Sequence, residues 1–79
     1  MNRKIKLIWE FSGPDAEQTA KHHKIHLEEF DVREKLEFSI SGTAYLNHVT
    51  WLAYLIVLEK DVIVIRDALK PERAEIFED

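Results

Sequence analysis

One ten-residue run limits what this chain can become. Val49-Thr50-Trp51-Leu52-Ala53-Tyr54-Leu55-Ile56-Val57-Leu58 is apolar at nearly every position. An extended chain has a period of two, so Trp51, Ala53, Leu55 and Val57 point to one side. Leu52, Tyr54, Ile56 and Leu58 point to the other. The run therefore predicts a strand covered on both faces, the position of an interior strand in a sheet. It is far short of the roughly 20 residues that cross a bilayer, so no membrane partner is expected.

The rest of the chain has to supply the cover. In residues 4–11, Ile5, Leu7, Trp9 and Phe11 alternate with Lys4, Lys6, Ile8 and Glu10, which predicts a second strand. Ser12-Gly13-Pro14-Asp15 then punctuates: Ser12 suits a helix cap, Asp15 its capping-box partner, and Pro14 a first turn. Ala16, Ala20, His23, Leu27 and Phe30 fall on one stripe at helical spacing, predicting a helix from Pro14 to about Phe30. Glu17, Lys21, Lys24 and Glu28 lie on its wet side. Leu36, Phe38 and Ile40 alternate with Glu37, Ser39 and Ser41, the pattern of a half-buried strand. Gly42 is expected at a bend or bulge and Asn47 in a turn.

Residues 62–70 admit two readings. Val62-Ile63-Val64-Ile65 has high strand propensity, and Glu59-Lys60-Asp61 could close a hairpin. The helical reading is favoured, because Val62, Ile65 and Leu69 then form one stripe and Asp61 stands at the N-cap. Arg66 and Lys70 suit the far end, and Pro71 stops the helix. Ala74 to Glu78 supplies a short last strand.

The order β-α-β-β-α-β predicts one domain over residues 1–79, an α+β ferredoxin-like fold with a four-stranded antiparallel sheet and two helices on one face. Helices in a single layer leave the second face bare, yet Leu52, Tyr54, Ile56, Leu58 and Ile8 belong to it. An apolar patch of that kind is seldom left exposed. A second copy, packed sheet to sheet about a two-fold axis, is the expected cover.

With the aliphatic Tyr54-Leu55-Ile56-Val57-Leu58-Glu59 strand running into a short helix that ends at Leu69-Lys70-Pro71, the chain resembles the dimeric α+β barrel superfamily. The resemblance covers nearly the whole chain as a pattern rather than as a motif. It implies sheet-to-sheet dimers and, where members have pockets, a pocket between the sheet and its own helices. Some members are small monooxygenases, isomerases or stress-related enzymes, so the resemblance leaves activity open.

Composition removes several function classes. No cysteine is present, which excludes disulfides, thiolate metal sites and thiol nucleophiles. Fifteen Asp and Glu against eleven Lys and Arg give a net charge of −4, the wrong sign for gripping phosphate backbones. Residues 49–58 hold no Lys or Arg, so the basic surround of an RNA-recognition sheet is missing as well. The start, Met1-Asn2-Arg3-Lys4, is followed by only Leu7-Ile8-Trp9 before Glu10 interrupts. A signal peptide needs roughly 7–15 apolar residues there, so a cytoplasmic protein is expected.

Candidate site residues are histidines and rings. His23 sits on the apolar stripe, where a polar ring must find a hydrogen-bond partner or face a cavity. With Trp9, Phe11 and Tyr54, and with His48 at the mouth, it outlines a possible site for a small, partly apolar molecule. Trp51 could equally join Trp9 in such a cavity or in the core. His22 and His26 are four residues apart on the same helix flank and could share a metal ion. Two histidines without a third ligand form a weak signal, and a solvated flank explains them as well, so no cofactor is expected. The alternative function is a non-catalytic interaction or regulatory module acting through its dimer surface, marked by a helix–sheet interface that side chains fill completely.

Overall fold

The computed structural model describes residues 3–78; Met1, Asn2 and Asp79 lie outside, and with them half of the basic start Met1–Lys4. Four strands and two helices follow in the expected order: β1 (Lys4–Ser12), α1 (Ala16–Glu34), β2 (Ser39–Asn47), β3 (Thr50–Leu58), α2 (Val62–Leu69) and β4 (Arg73–Phe77). A 3-10 turn, Glu59–Asp61, leads into α2. The strands form one sheet in the order β2-β3-β1-β4, and every neighbouring pair is antiparallel. This α+β architecture is compatible with a ferredoxin-like fold.

The helical reading of residues 62–70 holds because burial outweighs strand propensity. Ile65 is fully buried from α2, with Val62 and Leu69 packed beside it. Both helices feed one cluster: Ala20, Leu27 and Phe30 of α1 and Ile65 of α2 meet Ile5, Leu7, Trp9, Ala53, Leu55 and Val57 of the central strands. The Trp9 indole Nε1 donates to the Leu69 carbonyl at 2.9 Å, tying β1 to the last turn of α2. Each helix ends on a lysine in the left-handed region, Lys35 at φ 54° and Lys70 at φ 49°.

Two local expectations fail for identifiable reasons. Ser12 does not cap α1: it remains in β1 opposite Thr50, and its hydroxyl lies 3.2 Å from the Thr50 hydroxyl. Asp15 occupies the N-cap with no side-chain cap bond. The strand expected over residues 36–41 starts later and faces differently. Asp31 accepts a hydrogen bond from the Ser39 hydroxyl at 2.6 Å, which fixes the entry to β2 at Ser39. Leu36 is left as a connector packed on the core. Within β2, Ile40 pairs with Ile56, so it faces away from the helices and is exposed.

Gly42 is not a bulge either. It lies in register opposite Tyr54, while the irregularity falls between Tyr45 and Asn47. A Cβ on Gly42 would overlap the Tyr54 ring, so the glycine is there to let that ring lie flat across β2.

The second face closes on itself. Ile8 has Tyr54 on one side and Arg73 on the other as direct cross-strand neighbours, with Lys6 and Glu10 before and after it. The Lys6 ammonium sits over the Tyr54 ring at 4.5 Å, the Lys4 ammonium over the Phe38 ring at 4.6 Å, and Arg73 pairs with Glu10. Long stems lie along the sheet while their charged ends stay wet. Ile8 is thereby only 2% exposed and Ile56 3%, within a single chain. Ile40, on the same face, stays exposed.

Candidate functional site

Parity and helical spacing bring three of the predicted residues together. Trp9 and Phe11 are two apart on the inner face of β1, and His23 descends onto them from α1. Its ring centroid stands 5.0 Å from that of Trp9 and 5.4 Å from that of Phe11, both tilted. The imidazole is half-buried between helix and sheet at this point. Its Nε2 is buried and has no hydrogen-bond partner. Burial first, then the charges of His26 and His22, hold its pKa below the ordinary 6.5. His23 is thus a neutral ring at pH 7, a polar edge set in an aromatic wall.

The other two predicted residues lie elsewhere. Tyr54 pairs with Ile8, whereas Trp9 pairs with Ala53, so Tyr54 is on the opposite face of the sheet. Neighbouring strands bring Tyr54 near Trp9 in sequence terms, but its parity sends the ring to the second face. His48 is exposed in the two-residue turn between β2 and β3, where the Asn47 side chain accepts from the Val49 N–H at 2.9 Å. Tyr45 was not singled out by the sequence. It packs edge-on against Trp51 at 5.8 Å, and the Lys21 ammonium stands 5.9 Å from the Trp51 ring. The register of β2 is the only signal that could have placed it there.

His22 and His26 do converge. Their Nε2 atoms are 3.0 Å apart on the exposed flank of α1, with ring centroids 4.6 Å apart. His26 Nδ1 lies 3.3 Å from a Glu29 carboxylate oxygen. Among the described residues no three metal-ligating side chains come together, and no helix is long and apolar enough to cross a membrane.

An open concavity lies on the outward face of α1. Ile25, Glu28, Glu29, Val32 and Arg33 line it. Ile25 is 52% exposed and Val32 76%. They are seven residues apart, two turns along one face, and stand opposite the stripe that Ala20, Leu27 and Phe30 bury. Lys24–Glu28 at 3.2 Å and His26–Glu29 flank them. Periodicity alone assigned this face to solvent, and two β-branched apolar side chains there are unexplained by folding. No family model, curated protein or solved structure matches the chain, so its own geometry carries the functional argument.

Proposed function

We propose that the protein is a small non-catalytic interaction module that receives an amphipathic helix on the outward face of α1. The observation that carries this is the exposed pair Ile25 and Val32 at the concavity, with Glu28 and Glu29 between them. Such a pair matches the i, i+7 anchors of helix recognition. The central carboxylates call for a basic flank on the partner. A second copy suits the site poorly. A two-fold that seats Ile25 on the copy's Val32 also sets Glu28 opposite Glu29 and Lys24 opposite Arg33, all like charges.

The test is NMR titration of the labelled chain with two helical peptides that share a leucine stripe and carry either lysine or glutamate flanks. The lysine peptide should shift Ile25, Glu28, Glu29 and Val32, and the glutamate peptide should not. Ile25→Asp with Val32→Asp should abolish the shifts while leaving the fold intact. Shifts that map elsewhere, or that ignore the flanking charge, overturn the reading.

A second reading, a small molecule bound beside His23, is favoured by the orphaned Nε2. Ligand shifts confined to Trp9, Phe11 and His23 would select it. A sheet-to-sheet homodimer would instead shift Ile40 and Tyr54 as concentration rises.

A further inference from the structure

We propose that His22 and His26 form a two-nitrogen site for a late first-row divalent cation, taking copper(II) in preference to nickel(II) or zinc(II). Metal–imidazole bonds of about 2.0–2.1 Å place two adjacent ligand atoms roughly 2.9–3.3 Å apart for bond angles between square and tetrahedral. The two Nε2 atoms already stand 3.0 Å apart. The spacing is therefore already that of two ligands on one ion, and binding requires only that each ring turn its lone pair from its neighbour to the metal. Both side chains are exposed, which leaves the remaining coordination positions to water or to another ligand.

The surroundings support the chelate. The Glu29 carboxylate, 3.3 Å from His26 Nδ1, favours a proton on that nitrogen by its charge and so leaves Nε2 as the lone-pair nitrogen. His22 must then donate its Nε2 proton to His26 in the metal-free chain, since a hydrogen bond between two imidazoles needs one donor. On binding, His22 shifts that proton to its own Nδ1, so both Nε2 atoms ligate and no net proton is released. The pair sits mid-helix in α1, just after the Glu17–Lys21 bridge at 2.7 Å and interleaved with the Lys24–Glu28 bridge at 3.2 Å, so the helix fixes the spacing of the two rings. With two protein ligands, affinity follows the intrinsic order of the metals, which peaks at copper.

The experiment is calorimetric titration of the untagged chain with copper(II), nickel(II) and zinc(II), with electron paramagnetic resonance of the copper form. One saturable copper equivalent with two coupled imidazole nitrogens is expected, and weaker nickel and zinc binding. Glu29→Gln should weaken copper binding about tenfold, the usual loss for an outer-shell partner, and His22→Asn or His26→Asn at least as much. His48→Asn should change nothing. Copper binding that survives in the double variant His22→Asn/His26→Asn, a single nitrogen coupling in the parent, or no saturable binding at all overturns the proposal. Circular dichroism of each variant confirms that the helix is retained, so a loss reads on the ligands.

Discussion

His23 illustrates what a single side chain can cost and what it reveals. A buried nitrogen without a partner is a desolvation penalty with nothing set against it. Replacing His23 with Leu should therefore raise stability by roughly 1 kcal/mol in urea unfolding. A variant no more stable than the parent would show that Nε2 has a partner in solution. The pH dependence has a definite sign. With its pKa held below 6.5 in the folded chain, His23 binds fewer protons there than in the unfolded chain. Its contribution is complete above about pH 6.5 and is lost on acidification toward the folded pKa. His23→Leu should flatten the acid side of the stability profile. The ring's position was legible from the stripe Ala20–His23–Leu27, and its two aromatic neighbours from the parity of β1. The missing partner was not, because satisfaction depends on atoms that periodicity does not place.

Element type and place were legible wherever apolar spacing was regular, as in β1, α1, α2 and β3, although α1 starts at Ala16 and runs a full turn past Phe30 to Glu34. β2 was the exception. Its pattern Leu36, Phe38, Ile40 looked like an inward face, yet three different fates await these residues: connector, outer face beneath Lys4, and exposed edge. A weakly patterned edge strand takes its register from its neighbour rather than from its own sequence. The Gly42–Tyr54 pair is the device that sets this one. Gly42→Ala would force the Tyr54 ring off β2 and away from Lys6, loosening the cover beside its cross-strand neighbour Ile8. We expect a loss of about 1–3 kcal/mol by denaturant unfolding, as for other overpacked sites. In a Tyr54→Ala background the same change should cost far less, since the two residues act as one unit. Equal costs in both backgrounds would mean that the ring does not rest on the glycine.

At the scale of the molecule, the two-sided apolar strand was legible, but the means of covering its outer side was not. Hydropathy counts Lys4, Lys6 and Arg73 as polar and misses the apolar length of their stems. Leu52 gives the test, being 8% exposed in the single chain. Leu52→Asp would bury an unpaired charge at a cost of several kcal/mol. It should unfold the chain with a midpoint independent of protein concentration, followed by circular dichroism over a dilution series. A folded monomer that merely loses self-association would restore the sheet-to-sheet dimer. The sheet order also has a mechanical meaning. Lys4 pairs with Phe77, so the outer ends of β1 and β4 lie side by side in antiparallel strands. Handles attached at these two positions would pull across the ladder, and its bonds would break one after another, like a zipper. In an optical trap β4 should peel away first at low force, with the β1–β3 pairing still intact. Handles at Lys4 and Ser12 would load the same strand along its length and should meet much greater resistance. The molecule is thus soft in one direction and stiff in another, a property set by which strand sits beside the first.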